Sequence, residues 1–475
     1  MIKLRLATLA LIAACSSVAE KGSETESASA VTPPDWTRSA VIYEVNVRQY
    51  TPEGTLAALQ RHLPRLDSLG VDILWLMPVQ PIGKARRKGV LGSYYSIADY
   101  TAINPEFGKE SDFKAFVAGA HQLGMRVILD WVANHSAFDH EWIRMHPGWY
   151  VRRADGEISN ARDNEGRETD WTDVAELNYD VQDMRRAMIA EMRWWVADMD
   201  IDGFRCDVAG GVPNDFWAAA RRELSSVKPD IFLLAEAESP AMHANFDMTY
   251  GWELHHLINE IATGKQTVTP LWEYFAKQER NYPPGAYRMY FTSNHDENSW
   301  QGTEFERMGR NHLPAFVLSA TVKNSMPLLY TGQEASLRKR LRFFEKDTVD
   351  WKGPSLAAFY RSVFELKDAN RALWNGAHGG DQRILALENP TRAPAAELQR
   401  AFVFTRTRDD NTVLVAVNFA DTTVRVVYRG LTSGAYTDWF TKSQITLVEA
   451  GPLDIPANGF RVLVRNPEAP EPRSD

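Results

Sequence analysis

Two segments of this chain place carboxylates where they could do acid–base chemistry. In Gly203–Asp207, a predicted strand, Arg205 and Asp207 share one face because side chains alternate along a strand. An arginine beside a carboxylate favours the ionised form that a nucleophile requires. Glu236 follows four apolar residues, and such burial raises a carboxyl pKa, as a general acid requires. The sequence therefore contains a candidate nucleophile and a candidate acid.

Two further polar clusters stand at the ends of predicted strands. Asp296 follows His295 at the end of one strand, and Asp130 near the end of another is followed by Asn134 and His135. Each carboxylate alone has an ordinary interpretation as a cap or a surface ion pair. Four clusters at the carboxyl ends of strands favour one shared catalytic rim, because the loops there form the active sites of barrel enzymes.

The elements that must position these residues alternate along the chain. Buried strands that alternate with helices imply a parallel sheet with right-handed crossovers. Eight such units over about 330 residues predict an α/β protein with a (β/α)8 TIM barrel. The predicted strands are 41–47, 73–79, 126–132, 203–208, 231–237, 246–252, 288–292 and 327–330. The helices predicted between them include 56–69, 111–123, 181–199 and 214–227.

Two regions interrupt the alternation. Residues 135–179 are polar and aromatic without a clear period, and we predict that they form an insertion after strand 3. Beyond Asn375 the helical pattern fades, which predicts a C-terminal antiparallel β domain. Its predicted strands are 413–418, 423–428 and 461–464. We therefore expect a barrel over residues 36–374 and a β-sandwich over residues 375–467.

The N-terminus predicts export. Two basic residues precede an apolar stretch at 6–14, which is typical of a secretory signal. Residues 12–15 resemble the bacterial lipobox, in which Cys15 is lipidated and begins the mature protein. An ordinary signal peptide that contains a cysteine is the alternative. Residues 1–15 are thus a predicted lipoprotein signal, residues 16–35 a polar tether, and the lipid the predicted membrane anchor.

Composition argues against several other classes of protein. The 475 residues are 44% hydrophobic and 24% charged, which is globular rather than collagen-like or disordered. A formal net charge of −9 is unfavourable for binding nucleic acid. Two cysteines, Cys15 and Cys206, are too few for a disulfide scaffold or a multi-cysteine zinc site. We expect a monomer without an organic cofactor.

Together these segments resemble glycoside hydrolase family 13, the α-amylase family. The resemblance covers about residues 36–371, and the C-terminal β domain also fits that family. Its four core motifs are similar to DWVANH at 130–135, GFRCD at 203–207, LLAE at 233–236 and FTSNHD at 291–296. Two auxiliary motifs resemble ELN at 176–178 and MPLLYTGQ at 326–333. The ordered set is far more specific than any one motif.

The resemblance implies retaining hydrolysis of an α-glucosidic bond in α-1,4-linked glucans or maltodextrins. It assigns Asp207 as the nucleophile, Glu236 as the acid/base and Asp296 as the transition-state stabiliser. The implied substrate-binding residues are Tyr95, Asp130, His135, Arg205 and His295. Within that family a non-catalytic relative is the alternative to an enzyme, and the three intact carboxylates favour the enzyme.

Departures from the family pattern bear on substrate and cofactor. Residues 208–211 lack the Lys-His pair with which many endo-acting members bind leaving-side sugars. Oligosaccharide-acting relatives therefore stay open, among them cyclomaltodextrinases, neopullulanases, α-glucosidases and transglycosylases. One family calcium loop is missing after strand 1, whereas Asn134 matches a ligand of another calcium site, so Ca²⁺ is a candidate cofactor.

Two surface features near the predicted rim have open roles. The basic run at 84–88 is either a solvated loop or a rim for substrate or an anionic surface. The insertion carries aromatic residues that are candidate sugar-stacking surfaces, although packing against the barrel is the alternative for most of them. These are Trp142, Trp149, Tyr150 and Trp171.

Overall fold

Eight parallel strands close into a barrel. The structure is a computed structural model that describes residues 30–388 and 398–467. Its first ten strands are β1 (Ile42–Val45), β2 (Ile73–Leu76), β3 (Arg126–Val132), β4 (His135–Ala137), β5 (Val174–Glu176), β6 (Gly203–Asp207), β7 (Phe232–Ala235), β8 (Met248–Tyr250), β9 (Tyr287–Phe291) and β10 (Ser325–Tyr330). The barrel order is β1-β2-β3-β6-β7-β8-β9-β10, with β10 returning to β1. The predicted (β/α)8 fold is confirmed, and each barrel strand overlaps a predicted one.

The helices lie mainly between successive barrel strands. They are α1 (Val47–Tyr50), α2 (Leu56–Gln60), α3 (Leu63–Leu69), α4 (Glu110–His121), α5 (Glu141–Met145), α6 (Gln182–Ala197), α7 (Asn214–Val227), α8 (Trp252–Ala262), α9 (Pro270–Asn281), α10 (Glu304–Met308), α11 (His312–Thr321) and α12 (Ala357–Asp368). The single helix predicted over 56–69 is wrong, because the chain forms α2 and α3 there. Pro64 lies in the first turn of α3, where its missing N–H is tolerated, whereas a continuous helix would place it in the interior.

Alternation along the barrel strands sorts their side chains into two groups. Inward-facing Ile42, Ile73 and Ile128 belong to an apolar cluster that fills the barrel. The residues between them, such as Tyr43 and Leu74, pack against the surrounding helices in a second cluster. Two residues further along β1 and β3, the inward positions carry Glu44 and Asp130, and Arg205 lies beside Asp130 on β6. The packed barrel interior thus supports a polar layer toward its carboxyl end.

The insertion after β3 begins and ends in a small antiparallel sheet. His135 of β4 pairs with Glu176 of β5, so the chain leaves the barrel and returns to it at the same place. Between these strands lie α5 and a series of turns. This pairing keeps the insertion at the end of the barrel where the carboxyl ends of the strands lie.

The C-terminal region forms two packed antiparallel sheets. Its strands are β11 (Asp381–Ile384), β12 (Leu387–Glu388), β13 (Ala401–Arg408), β14 (Asn411–Asn418), β15 (Val424–Arg429), β16 (Gly434–Asp438), β17 (Gln444–Leu447), β18 (Ala450–Ile455) and β19 (Gly459–Arg465). The larger sheet has the order β11-β13-β14-β19-β16-β17, and the smaller one β12-β15-β18. The three predicted strands correspond to β14, β15 and β19. The others were missed in part because β16 and β18 contain glycine or proline, which weaken a strand pattern.

One face of the larger sheet packs on the barrel. Phe402 and Phe404 belong to the cluster that surrounds the barrel, whereas Ala401 and Val403 pack with the smaller sheet. Within the described ranges no helix has both the length and the apolar character needed to cross a bilayer. Cys15 and the predicted signal lie outside the described residues.

Gly203 at the start of β6 gives a test of this packing. A Cβ there would lie 1.9 Å from the Phe232 backbone oxygen, and neighbouring barrel strands cannot separate to admit it. We expect Gly203→Ala to lower the free energy of unfolding by about 3 kcal/mol or more, measured by urea denaturation. Gly148→Ala is the matched control, because nothing lies within 4 Å of its Cβ position. Equal stabilities of the two variants would contradict this account.

Candidate active site

A single arginine gathers three carboxylates at the carboxyl end of the barrel. Arg205 is fully buried on β6, and its Nη1 donates to Asp130 Oδ1 at 2.8 Å and to Asp207 Oδ1 at 2.9 Å. Its Nη2 lies 2.6 Å from Glu236 Oε1, in an ion pair that is not aligned as a hydrogen bond. Its Nε donates to Tyr250 Oη at 3.1 Å. The guanidinium therefore fixes the carboxyl groups of β3, β6 and β7 relative to one another.

Asp130 completes the layer beneath the cleft. Its Oδ2 accepts from Trp75 Nε1 at 3.2 Å and from Tyr95 Oη at 3.0 Å, while Oδ1 accepts from Arg205. Asp130 and Arg205 are 0% exposed and are absent from the residues that line the cleft. Arg205 therefore lies below the cleft, and its place in the sugar subsite stays a prediction. It acts on the site from below, through the carboxylates it holds.

A second charged chain runs from β1 to Asp296. His295 Nδ1 lies 2.5 Å from Glu44 Oε1, and His295 Nε2 lies 2.8 Å from Tyr95 Oη and 3.3 Å from Asp296 Oδ2. Because the Tyr95 hydroxyl donates to Asp130, it must accept from His295. Both ring nitrogens then donate, so His295 is an imidazolium. Burial lowers its pKa, but Asp296 and Glu44 outweigh burial and raise it to about 9.

The two central carboxyls compete for ionisation. Burial raises the pKa of Asp207 well above its usual value, Glu236 raises it further, and Arg205 lowers it. Burial also raises the pKa of Glu236, again against the effect of Arg205. The sequence predicted that Arg205 keeps Asp207 ionised. Arg205 does lower the pKa of Asp207, but burial and Glu236 oppose it. Because a charge on Glu236 disfavours ionisation of Asp207, the pair favours one ionised and one protonated member.

These groups open into a cleft of about 480 Å³. Of the eight predicted catalytic and substrate-binding residues, six line it. They are Tyr95, His135, Asp207, Glu236, His295 and Asp296. Trp171, a predicted stacking residue, and Lys88, from the basic run, also lie on its wall. Lys88 Nζ donates to the Asp170 backbone oxygen at 3.0 Å, so this lysine ties the β2 loop to the insertion rather than facing open solvent alone.

Other cleft residues were missed by sequence analysis. Trp300, Phe343 and Phe344 form an aromatic wall, with the Trp300 and Phe343 ring centroids 5.3 Å apart. Trp300 is 49% exposed and follows Asp296 by about one helical turn. Its short distance from Asp296 along the sequence was the signal that could have placed it at the cleft. Glu44 lies below the cleft in an apolar strand, and nothing in the sequence linked it to His295.

The backbone after the candidate nucleophile is unusual. Val208 has φ 43° and ψ 41°, a left-handed conformation that β-branched residues rarely adopt. This conformation lets the Val208 N–H donate to Glu236 Oε2 at 2.9 Å. The turn therefore connects the carboxylate of β6 to the carboxyl group that follows β7.

The insertion approaches the backbone just beyond this turn. A Cβ on Gly210 would lie 2.7 Å from Asn164 Oδ1, and one on Gly211 would lie 2.9 Å from Asn134 Oδ1. The two glycines thus let the turn around Asn164 approach the rim. The segment in which many endo-acting family members carry a sugar-binding pair thus lies beside the insertion.

The side-chain amide of Asn134 forms hydrogen bonds to the insertion. Asn134 Nδ2 donates to the Arg162 backbone oxygen at 2.9 Å and to Glu176 Oε2 at 3.3 Å, so an N–H already occupies these oxygens. Calcium takes six to eight oxygen ligands. Across residues 30–388 and 398–467, no three His, Cys, Asp or Glu side chains converge as a metal site. Calcium binding stays an untested prediction of the sequence, and no step below depends on it.

Fold and site together define a (β/α)8-barrel protein with a multi-carboxylate cleft at its carboxyl rim. A family model described as alpha amylase, catalytic domain, matches residues 23–372. The chain belongs to the α-amylase family.

Individual relatives agree with this assignment. The chain is 28% identical over 402 residues to alpha-amylase MalA of Haloarcula japonica, a match that covers 81% of this chain and 56% of that protein. It is also 29% identical over 350 residues to an alpha-1,4-glucan:maltose-1-phosphate maltosyltransferase of Pseudomonas aeruginosa. That match covers 68% of this chain and 50% of that protein. The chain spans about half the length of these curated relatives.

Solved structures are similar over nearly their full length. The maltogenic alpha-amylase AmyB of Thermotoga neapolitana matches with a TM-score of 0.79 and 27% identity, over 90% of this chain and 98% of that chain. An alpha-amylase of Lactobacillus plantarum matches with a TM-score of 0.79 and 28% identity, over 91% of this chain and 100% of that chain.

The His295 imidazolium predicts a pH dependence of stability. Its pKa of about 9 exceeds the usual 6.5, so its contribution to stability is complete below pH 6.5 and is lost as the pH rises through about 9. We expect the free energy of unfolding of the wild type to fall across this window relative to that of His295→Gln. His243→Gln is the control, since burial lowers the pKa of His243 to about 3 and keeps it neutral there. Parallel pH profiles of wild type and His295→Gln, from urea denaturation, would show that His295 is not charged.

Proposed function

We propose that this protein is a retaining α-glucoside hydrolase that acts on α-1,4-linked glucans or maltodextrins. The observation that carries the proposal is the placement of Asp207 and Glu236 on one buried guanidinium at the floor of a cleft, with Asp296 beside them. A carboxylate and a carboxylic acid that flank the scissile bond are the chemical requirement for retaining glycoside hydrolysis. Relatives named alpha-amylase and maltogenic alpha-amylase support the substrate class.

The first half of the reaction uses a proton on Glu236. With the proton on Glu236, Asp207 is ionised and attacks the anomeric carbon, while Glu236 protonates the departing glycosidic oxygen. The bond between that carbon and oxygen breaks as the bond to Asp207 forms. Positive charge develops on the sugar ring in the transition state, and the carboxylate of Asp296 stabilises it. Arg205 keeps both reacting carboxyl groups in place throughout.

The second half regenerates the site. Glu236, now a carboxylate, removes a proton from water, and the water oxygen displaces Asp207 from the anomeric carbon. Two inversions at this carbon return the α configuration. A sugar hydroxyl in place of water would give transglycosylation, and the maltosyltransferase relative keeps this oligosaccharide-acting alternative open. A non-catalytic role is disfavoured by the complete set of carboxylates.

The assignment of the acid can be tested with two glutamates close in sequence. Glu236→Gln removes the proton donor, so we expect hydrolysis of maltotriose to fall by at least about 100-fold. An α-glucoside with an activated aryl leaving group needs no proton, so its first step should be far less affected. Glu238→Gln is the control, because Glu238 pairs with Arg288 at 2.5 Å and does not line the cleft.

The stereochemistry of the product gives the second readout for the wild type. Proton NMR during hydrolysis of maltotriose should show the α-anomer first, before mutarotation. Early β-anomer would exclude a retaining mechanism. If Glu238→Gln, rather than Glu236→Gln, is the variant that loses maltotriose hydrolysis but still reacts with the activated aryl glucoside, Glu236 is not the acid.

We further propose that the protein favours short linear substrates. In the segment after Asp207 that the resemblance links to leaving-side sugars, Gly210 and Gly211 offer backbone only, and Asn164 of the insertion lies beside Gly210. Side chains that could bind additional sugars of a long chain are missing there. The insertion would also obstruct a polymer chain that continues past the cleft. A short maltodextrin needs only the enclosed part of the cleft.

Substrate length therefore gives a prediction for the insertion. We expect kcat/KM on maltotetraose to be at least comparable, per bond cleaved, to that on soluble starch. Asn164→Ala should shift the ratio toward starch, because it removes the side chain packed over Gly210. Glu165→Ala, an exposed neighbour in the same turn, is the control. A strong preference for starch in the wild type, with random internal cleavage at the earliest times, would contradict this proposal.

We also propose that the protein is an exported monomer anchored by a lipid on Cys15. The support is the sequence alone: a basic start, an apolar stretch and a lipobox-like ending, followed by a polar tether. A lipid at this point would leave the barrel free at the membrane surface, on the periplasmic side or outside the cell.

Replacement of the anchor residue tests this localisation. Cys15→Ala should abolish fatty-acid labelling and move the protein from the membrane fraction to the soluble fraction. Cys206→Ala is the control, since Cys206 is buried and burial raises the pKa of its thiol well above the usual value. A labelled, membrane-bound Cys15→Ala protein would refute the anchor.

A further inference from the structure

A short segment bridges the rim of the catalytic cleft between the insertion and the chain that follows β10. It comprises residues 84–91, in the long connection after β2, and we call it the β2 strap. Arg87 Nε and Nη2 donate to the backbone oxygens of Gly83 and Ile82 at 2.8 Å and 2.9 Å, which braces the strap locally. The strap contains the basic run whose role the sequence left open.

The strap is attached to both ends of the insertion. The Lys84 N–H donates to Asp139 Oδ2 at 2.8 Å, close to the start of the insertion. Close to the end of the insertion, Lys88 Nζ donates to the Asp170 backbone oxygen at 3.0 Å and lies 3.5 Å from Asp173 Oδ1. The Lys88 side chain therefore spans the space between the strap and the insertion, and Asp173 balances its charge.

On its other side the strap is attached to the chain after β10. The Leu91 N–H donates to the Phe344 backbone oxygen at 3.0 Å, and the Val90 N–H donates to Glu345 Oε1 at 3.0 Å. A Cβ on Gly89, which has φ 63°, would lie 2.4 Å from Phe344 Cβ. Glycine at this position thus lets the two segments approach closely, and the strap has fixed contacts on both sides.

These contacts join residues from four segments into one wall around the cleft. The segments follow β3, β2, β10 and β9, and the strap bridges the position of β1, which lies between β2 and β10 in the barrel. After β6, Gly210 lies beside Asn164 of the insertion. The part of the rim outside the wall therefore carries the segments that follow β7 and β8. The wall residues that line the cleft are Trp171, Asp170, Lys88, Phe344, Phe343 and Trp300.

The general acid determines which way a substrate points in this cleft. With the role proposed above, Glu236 must reach the leaving oxygen, and it follows β7, so the leaving part of the substrate lies toward the part of the rim outside the wall. The attacked sugar then lies on the walled side, with Tyr95. The Tyr95 and Phe343 rings are stacked with centroids 6.2 Å apart, so the wall stands close beside that sugar.

We propose that the β2 strap, with Lys88 completing the wall, closes the cleft on the non-reducing side of the attacked sugar. The protein then cleaves α-glucans from their non-reducing ends and releases a product of one short length. This inference rests on the proposed function for the reaction and adds the direction of attack. An internal segment of a glucan cannot occupy the cleft, because its chain would have to pass through the wall. Short maltodextrins offer more chain ends per unit mass than starch, which agrees with the length preference proposed above.

A substrate with a blocked end tests the closed side directly. Hydrolysis of p-nitrophenyl maltoheptaoside is compared with that of the same compound carrying a 4,6-O-ethylidene group on its non-reducing glucose, with products separated by chromatography. We expect kcat/KM of the wild type to be at least about 50-fold lower on the blocked compound, because the added carbons meet the wall. Equal rates on the two compounds would overturn the closed side and leave the proposed function standing. If neither compound nor maltotriose is hydrolysed, the proposed function itself fails.

The lengths of the first products give a second readout. The aryl group marks the reducing end, so products without it come from the non-reducing end. On the unblocked compound we expect one length of unmarked product at the earliest times. Several unmarked lengths at those times would contradict attack from the chain end.

Replacement of Lys88 tests its part in the wall. Lys88→Ala removes the side chain between the strap and the insertion, so we expect the blocked-to-unblocked ratio of kcat/KM to rise by about tenfold. Lys84→Ala is the matched control, because Lys84 belongs to the same basic run but is exposed and does not line the cleft. A merely structural role of Lys88 would lower both rates and leave the ratio unchanged, and that result would overturn the proposal.

Discussion

The site depends on a buried positive charge that must be neutralised. Arg205 is fully enclosed by the barrel, and an unpaired guanidinium in that position would be prohibitively unfavourable. Three carboxyl groups from three strands meet this need, so the arginine and the acids stabilise one another. Breaking such a buried network by removing one partner leaves an uncompensated charge and is strongly destabilising. The residues proposed to perform the chemistry are thus also those that keep the barrel end intact.

The charge network reaches further than the three acids. Tyr95 joins Asp130 to His295, and His295 joins Glu44 to Asp296. Groups on β1, β2, β3, β6 and β8, and in the segments that follow β7 and β9, take part in this network. Asp296 is the most open member, with 38% of its side chain exposed, which suits a group that must meet the substrate directly. Fully buried Arg205 thus supports the other groups from below, whereas exposed Asp296 is placed to contact the substrate.

Sequence was sufficient for the barrel because its strands are short apolar runs with polar ends. The same logic located Asp207, Glu236 and Asp296, since each stands at the end of such a run. It could not locate Glu44, because a single acid in an apolar strand has no local pattern that reveals its partner. Nor could the sequence show that burial affects the pKa of Asp207 more than Arg205 does, because burial depends on how the folded chain encloses the carboxyl group. The aromatic wall from Trp300 and Phe343 combines distant loops, and only the closed fold brings them together.

The shared core of barrel and C-terminal sheet has a consequence for folding. Phe402, Phe404 and Val415 are buried in the same cluster as the helices that surround the barrel. Removal of the sheet would therefore leave an apolar area of the barrel exposed to water and prone to aggregation. The two parts should unfold in one cooperative transition instead of two, because neither completes its interior alone. The C-terminal sheet is thus part of the barrel's folding unit, although its residues are remote from the cleft.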